Sequence, residues 1–169
     1  MTMKIAWGAK VAPEFKALVV EIAVWLVIDP SWLMSWMAFE SAGTFAPDVR
    51  NAHSSAVGLI QFMRRTARDL GTSSEALARM TAVQQLAYVR LYFKPWRGKL
   101  RTLSDGYMVI LWPKAVGKPE SYVLWKNGAP AYAVNKGLDI DKDGAVTKAE
   151  AASKIYQWLA EGMKPGNIG

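Results

Sequence analysis

The sequence contains no cysteine. That excludes disulfides, thiol nucleophiles and thiolate-held zinc or iron–sulfur clusters, and it leaves the redox compartment open. His53 is the single histidine. A metal centre built on imidazole needs several, so an exposed loop histidine is the expectation. No long apolar run is present: the richest stretch, Leu18 to Ile28, is broken by Glu21 and is shorter than the roughly 20 residues a bilayer span requires. Lys4, Lys10, Glu14 and Lys16 interrupt the N-terminal region, so no signal peptide and no stable membrane insertion are expected. Basic residues form no run longer than Arg64-Arg65. Without an arginine-rich arm or zinc-finger spacing, nothing specific points to nucleic acid.

What the chain does have is apolar residues and positive charge. Its 169 residues are 51% hydrophobic with a net charge of +7. This is enough to bury a core, with a surface that attracts polyanions such as nucleic acid, acidic lipid or a bacterial envelope. Eight Trp and eight Met are many for this length. Most are assigned to the core, although a flat ring with one donor also suits a sugar cleft.

Periodicity and punctuation predict a mainly α chain. Pro13 opens a helix running to about Ile28, apolar almost all round and therefore expected to be central and buried. Asp29-Pro30 stops it and starts the next, Ser31 to about Ser41. A looser stretch, Gly43 to Ala56, precedes a helix expected over Gly58 to Leu70 and ended by Gly71. Thr72-Ser73-Ser74-Glu75 reads as the cap of a short helix through Met80, and Thr81 to Phe93 and Ser104 to Trp112 follow as helices. Gly117 to Gly128 has no clear assignment, no β-hairpin is evident, and the tail after Met163 reads as frayed.

On the second helix Leu33, Trp36, Met37 and Glu40 fall at i, i+3, i+4 and i+7, which is one face. A carboxylate on an apolar stripe is costly to ionise, and a raised pKa that keeps it protonated is the usual relief. A protonated acid near neutral pH is what cleavage of a glycosidic bond uses. Periodicity alone favours the other reading, in which Glu40 is a solvated residue of the last turn.

Two motifs add to this. Glu40-Ser41-Ala42-Gly43-Thr44-Phe45-Ala46-Pro47 and Gly58-Leu59-Ile60-Gln61-Phe62-Met63 resemble the Glu-Ser…aromatic…Pro and Gly-Leu-Met-Gln signatures of lytic transglycosylases and goose-type lysozymes, especially the stand-alone phage members. Thr66-Ala67 and Leu70-Gly71 follow at that family's spacing. Tyr107 to Gly117 stands where many members carry Ala-Tyr-Asn, with Trp112-Pro113 replacing Tyr-Asn. Arg64-Arg65 replaces a common proline. The resemblance covers roughly residues 13 to 125. It implies a lysozyme-like, soluble lytic transglycosylase-like helical domain and a catalytic Glu40 acting on the bond between N-acetylmuramic acid and N-acetylglucosamine. It also implies sugar contacts from Ser41, Asn51, Gln61, Met63 and Tyr107. From the residues themselves, Gln61 is as readily an amide tying a loop to a helix, Asn51 a loop cap, and Met63 a core residue. Asp48, the nearest other acid, reads as a solvated loop residue.

Residues 139 to 150, Asp-Ile-Asp-Lys-Asp-Gly-Ala-Val-Thr-Lys-Ala-Glu, match a calcium loop of EF-hand type. Asp139, Asp141 and Asp143 take positions 1, 3 and 5, Gly144 the turn at 6, Ala145 the backbone carbonyl at 7, Thr147 position 9 and Glu150 position 12. Val146 is the apolar residue at 8, and Ala151, Ile155, Trp158 and Leu159 give the exiting helix an apolar face. The entering segment, Ala131 to Leu138, is a poor helix, and a single hand suits a structural Ca²⁺ site rather than a sensor.

The expected organisation is a catalytic domain over 1–128, an EF-hand-like segment over 129–163 and a flexible tail at 164–169. The expected activity is that of a monomeric endolysin or virion-associated lysin, made in a host bacterium's cytoplasm and acting on its peptidoglycan. Transglycosylation to 1,6-anhydro ends is favoured over hydrolysis, with Ca²⁺ structural and no cofactor for catalysis. A calcium-stabilised structural or wall-binding protein without catalysis, and a membrane-active basic helix in the C-terminal half, are the rivals.

Overall fold

The computed structural model describes residues 3–169. They form a mainly α structure with one two-stranded sheet. Contacts divide the chain into two compact units. The first runs to Gly98 and includes Trp158–Gly169; the second is Lys99–Gln157.

The first unit holds α1 (Pro13–Leu26), α2 (Pro30–Glu40), α3 (Arg64–Asp69), α4 (Ser74–Arg79) and α5 (Ala82–Phe93). Proline opens both α1 and α2, where its missing N–H is not needed. Val27 turns left-handed at φ 65° and ends α1, and the Asp29 carboxylate then accepts from the Ser31 amide at 2.7 Å to cap α2. Thr81 and Gln84 form a reciprocal capping box on α5. The buried helix is α2, whose Leu33, Met34, Trp36, Met37 and Ala38 are fully enclosed. Helix α1 packs on α2 and α5 through Phe15, Val19, Ile22 and Leu26. It is not central as its composition suggests: Val24 and Val27 remain 67% and 64% exposed. Apolar composition on all sides removed the pattern that would have told its two faces apart.

The helix expected from Gly58 begins only at Arg64. Gly58 to Phe62 is instead a tight reversal, with Val57 and Phe62 exchanging both backbone hydrogen bonds at 3.1 and 2.9 Å. Leu59, Ile60 and Phe62 are all buried by this turn, so three apolar neighbours are enclosed without any helical period.

The C-terminal residues are not frayed. Ile5 and Gly169 exchange backbone bonds at 2.8 and 3.2 Å, and the Ala9 amide donates to the Asn167 carbonyl at 2.9 Å. Glycine permits that approach, because a Cβ on Gly8 would lie 2.2 Å from the Gly169 oxygen.

The second unit contains α6 (Leu103–Leu111), β1 (Val123–Lys126), α7 (Pro130–Asn135), β2 (Ala145–Thr147) and the start of α8 (Lys148–Gly162), whose residues from Trp158 onward belong to the first. The segment that had no clear assignment therefore supplies a strand. β1 and β2 pair antiparallel with Val123 opposite Thr147, Trp125 opposite Val146 and Lys126 opposite Ala145. A buried ion pair holds the start of α8. Lys148 Nζ lies 2.6 Å from Asp105 Oδ1 and also donates to the Lys118 carbonyl at 2.7 Å. Asp105 further accepts from the Gly117 and Arg101 amides at 2.8 and 3.0 Å. Burial alone would raise the Asp105 pKa, but Lys148 and the two amides hold it below the ordinary value.

Candidate functional site

Glu40 is the last residue of α2, one turn beyond the fully buried Trp36. A helix C-terminus carries partial negative charge and offers a carboxylate no compensation. Burial pushes its pKa from 4.5 up to about 7. Glu40 therefore keeps its proton through the acidic range and is about half protonated at neutrality, which suits a group that must first donate and later accept.

The chain after Glu40 turns sharply. Ser41 is fully buried, its hydroxyl donating to the Met37 carbonyl at 2.7 Å and accepting from the Phe45 amide at 3.0 Å. The Thr44 hydroxyl donates to the Ser41 carbonyl at 2.7 Å. Ala42 and Phe45 are left-handed, both at φ 52°, a region that side chains other than glycine enter at a cost. Phe45 then packs edge-on against Phe15 and near Trp7.

The second motif lies on the tight reversal. Gln61 is left-handed at φ 54°, and both of its amide protons are used: Nε2 donates to the Val49 and Gly58 carbonyls at 3.1 Å each. The reversal is clamped from outside by Gln85 of α5, which is completely buried. Its Oε1 accepts from the Leu59 amide at 2.7 Å, and its Nε2 donates to the Pro47 and Leu77 carbonyls at 3.0 and 2.9 Å. Glycine suits position 58: the backbone is left-handed at φ 85°, and a Cβ would sit 2.3 Å from Gln85 Oε1 and push the clamp aside.

Tyr92 belongs to this neighbourhood, although nothing in the sequence singled it out. Burial, followed by the charge that Glu40 acquires on ionising, pushes its phenol up to about 12. An aromatic chain places it: Trp36 stacks on Phe93, Phe93 meets Tyr92 edge-on, and Tyr92 meets Phe62 edge-on at the end of the reversal. These rings join α2, the end of α5 and the 58–62 turn, and Tyr92 among them is close enough to feel the charge of Glu40.

The remaining candidates are placed as follows. Met63 caps α3 and is 48% exposed. Asn51 is exposed and its Oδ1 accepts from the His53 amide at 2.8 Å, a loop cap; His53 and Asp48 are exposed too. Tyr107 lies in α6 of the second unit and is buried at 5% exposure. A 510 Å³ groove between α1 and α5, lined by Leu18, Ile22, Trp25 and Leu86, does not include Glu40.

The acidic loop forms a separate candidate site in the second unit. One carboxylate oxygen from each of Asp139, Asp141 and Asp143 lies within 4.8 Å of the others, a group that could hold a metal ion. Asp141 Oδ1 accepts from the Asp143 amide at 3.1 Å, and Asp143 Oδ1 from the Ala145 amide at 2.8 Å. Glu150 Oε2 accepts from the Thr147 amide and hydroxyl at 2.8 and 2.7 Å, and its Oε1 accepts from the Ile140 amide at 3.0 Å. Burial would raise the Glu150 pKa, but these donors outweigh it and lower it. Asp139 is only 8% exposed, and its Oδ1 is buried with no hydrogen-bond partner. A buried carboxylate oxygen left without a donor fits a site meant for a cation.

Compared with known proteins, the sequence matches no family model and no curated protein.

Proposed function

We propose that the protein cleaves the glycan strand of bacterial peptidoglycan, with Glu40 as general acid and then general base. The observation that carries this reading is the burial of Glu40 at the end of an apolar helix, which raises its pKa to about 7. The acid protonates the oxygen joining N-acetylmuramic acid to N-acetylglucosamine as the C1–O bond breaks. The sugar's own N-acetyl oxygen stabilises C1, so no second carboxylate is required. Glu40, now ionised, takes the proton of the C6 hydroxyl while O6 closes on C1, giving a 1,6-anhydro end and restoring the acid. Support comes from the resemblance of the two motifs to lytic transglycosylases, from their place in one compact unit, and from Tyr92, which meets Phe62 of the second motif and feels the charge of Glu40. Under this reading Ser41 and Gln61 shape the loops beside the acid, since the Ser41 hydroxyl and the Gln61 Nε2 both bond the backbone. Hydrolysis by the same acid, with water in place of O6, is the second form of this reading.

Mass spectrometry of muropeptides released from purified walls tests it. Anhydro ends are expected, and ends one water heavier would replace transglycosylation by hydrolysis. Glu40→Gln is expected to keep the fold and release nothing; an active variant would refute the assignment. A suspension of walls that stays turbid with wild-type protein would favour a binding role instead.

The acidic loop is read as a structural Ca²⁺ site, with side-chain oxygens from Asp139, Asp141, Asp143, Thr147 and Glu150 and the Ala145 carbonyl as its donors. All are hard oxygen ligands, as Ca²⁺ prefers. The ion would neutralise crowded carboxylates at the start of α8. The proposed setting is the cell wall of a bacterium in which the protein is made, with peptidoglycan as its partner and the monomer as its working form.

A further inference from the structure

The first loop aspartate is held in an unusual way. Its two oxygens are treated differently: Oδ2 accepts from the Tyr132 phenol at 2.6 Å and from the Gly144 amide at 3.1 Å, while Oδ1 is buried with no partner. A free carboxylate at a loop entrance can rotate and turn both oxygens to water, and that freedom must be lost when an ion binds. Here two donors converge on the same oxygen, Oδ2, and hold the carboxylate in one orientation before any ion arrives.

The donors differ in origin. Gly144 lies inside the loop, whereas Tyr132 comes from α7, the short helix that enters it. Helix α7 has six residues, Gly137 interrupts the approach to the loop, and Val134 is 85% exposed. A long entering helix therefore cannot set the position of Asp139. The other side of the loop is already braced, because Val146 at position 8 pairs with Trp125 of β1 and is completely buried. That strand from the same unit supplies the pairing a lone hand would otherwise lack. At the entrance Glu150 already ties down the Ile140 amide, and the phenol is the side chain that reaches the Asp139 carboxylate itself from α7.

Resting on the Ca²⁺ reading above, we propose that Tyr132 is a positioning residue of this site: its hydroxyl occupies Oδ2 of Asp139 so that Oδ1 is presented to the ion. Tyr132 does not touch the ion. It acts as an outer-shell donor, a class of contact whose loss weakens metal binding by roughly 10- to 100-fold.

The test uses the full chain stripped with a chelator, titrated with Ca²⁺ by calorimetry and by tyrosine ultraviolet difference absorption. Wild type should bind one ion and show a tyrosine difference band, because charge drawn toward the ion from Asp139 weakens the phenol's bond to Oδ2. Tyr132→Phe should bind about tenfold more weakly or worse and lose the band, with its melting temperature in chelator little changed. Equal affinity in Tyr132→Phe, with Asp139→Asn silent, would overturn the role of Tyr132 and leave the ion site standing. No heat with wild type, matching Asp139→Asn, would sink the ion site and the inference together. Should Tyr132→Phe melt below the assay temperature, the wild-type band alone decides: a flat spectrum during measurable binding refutes the contact.

Discussion

Replacing Glu40 by Gln should make the protein more stable, and by an amount that depends on pH. The carboxyl titrates near 7 in the folded chain against 4.5 ordinarily, through burial. A folded pKa above the unfolded one means that the folded state binds the proton more tightly. The stability from that proton is complete below pH 4.5 and is lost as pH rises through 7. The gap of about 2.5 units at 1.36 kcal/mol each gives about 3 kcal/mol. Glutamine has the shape of the protonated acid and never ionises, so it avoids this loss. At pH 4 the variant and wild type should therefore match within a few tenths of a kcal/mol, and by pH 8 the variant should lead by about 3 kcal/mol. In a chain of this length that is roughly 6 to 12 °C in melting temperature. Calorimetric melts of both proteins from pH 4 to pH 9 provide the comparison. If the two curves stay parallel across that range, Glu40 ionises without penalty, and the burial argument for its acid role is wrong.

The same titration bears on activity. Wall lysis should decline above about pH 7 as the acid loses its proton, and activity still flat at pH 9 would remove Glu40 as proton donor. Gly58→Ala should cost about 2–3 kcal/mol in urea unfolding, because the new Cβ meets Gln85 Oε1 at 2.3 Å in a left-handed backbone; an unchanged midpoint would show that the clamp yields freely. Lys148→Met leaves Asp105 buried and unpaired, and should destabilise by about 3–5 kcal/mol near neutral pH. The stability that Asp105 contributes is present above its ordinary pKa of 3.8 and lost as pH falls through its lowered folded value. A Lys148→Met protein that melts like wild type at both pH 7 and pH 3 would contradict the pair.

Much of this was legible because the informative residues are close together in sequence. Asp29-Pro30 and Thr81 with Gln84 mark helix starts through contacts two or three residues apart, and the acidic loop displays all its candidate ligands within twelve consecutive positions. The position of Glu40 on an apolar face follows from counting turns. The clamp does not: Gln85 reads as one more polar residue of an amphipathic helix, and its partners lie 8, 26 and 38 residues away. Lys148 and Asp105 are 43 residues apart and resemble two surface charges until they meet. Tyr132 was hidden for a different reason. Its helix is short and interrupted, with no periodicity that would mark a side chain aimed at the loop. The turn at Gly58 was misjudged because Leu59, Ile60 and Phe62 suit a helix as well as a buried reversal, and nothing in a glutamine announces a left-handed backbone.

That left-handed glutamine links the two motifs physically. Ala42, Phe45 and Gln61 each occupy a backbone region that costs on the order of 1–3 kcal/mol outside glycine, and all three lie in the segments that follow Glu40 or form the reversal. Such strain survives only where neighbours over-determine it. Here Ser41, Thr44, Gln61 and Gln85 place six side-chain hydrogen bonds on backbone carbonyls and two on backbone amides of these loops. A protein that needed only a stable core could relax all three residues and dispense with the polar clamp. Retaining both makes sense if the loops must hold one shape beside a carboxylic acid whose proton depends on staying out of water. On the proposed reading, Ser41, Gln61 and Gln85 hold the shape of the loops, and the proton is left to Glu40.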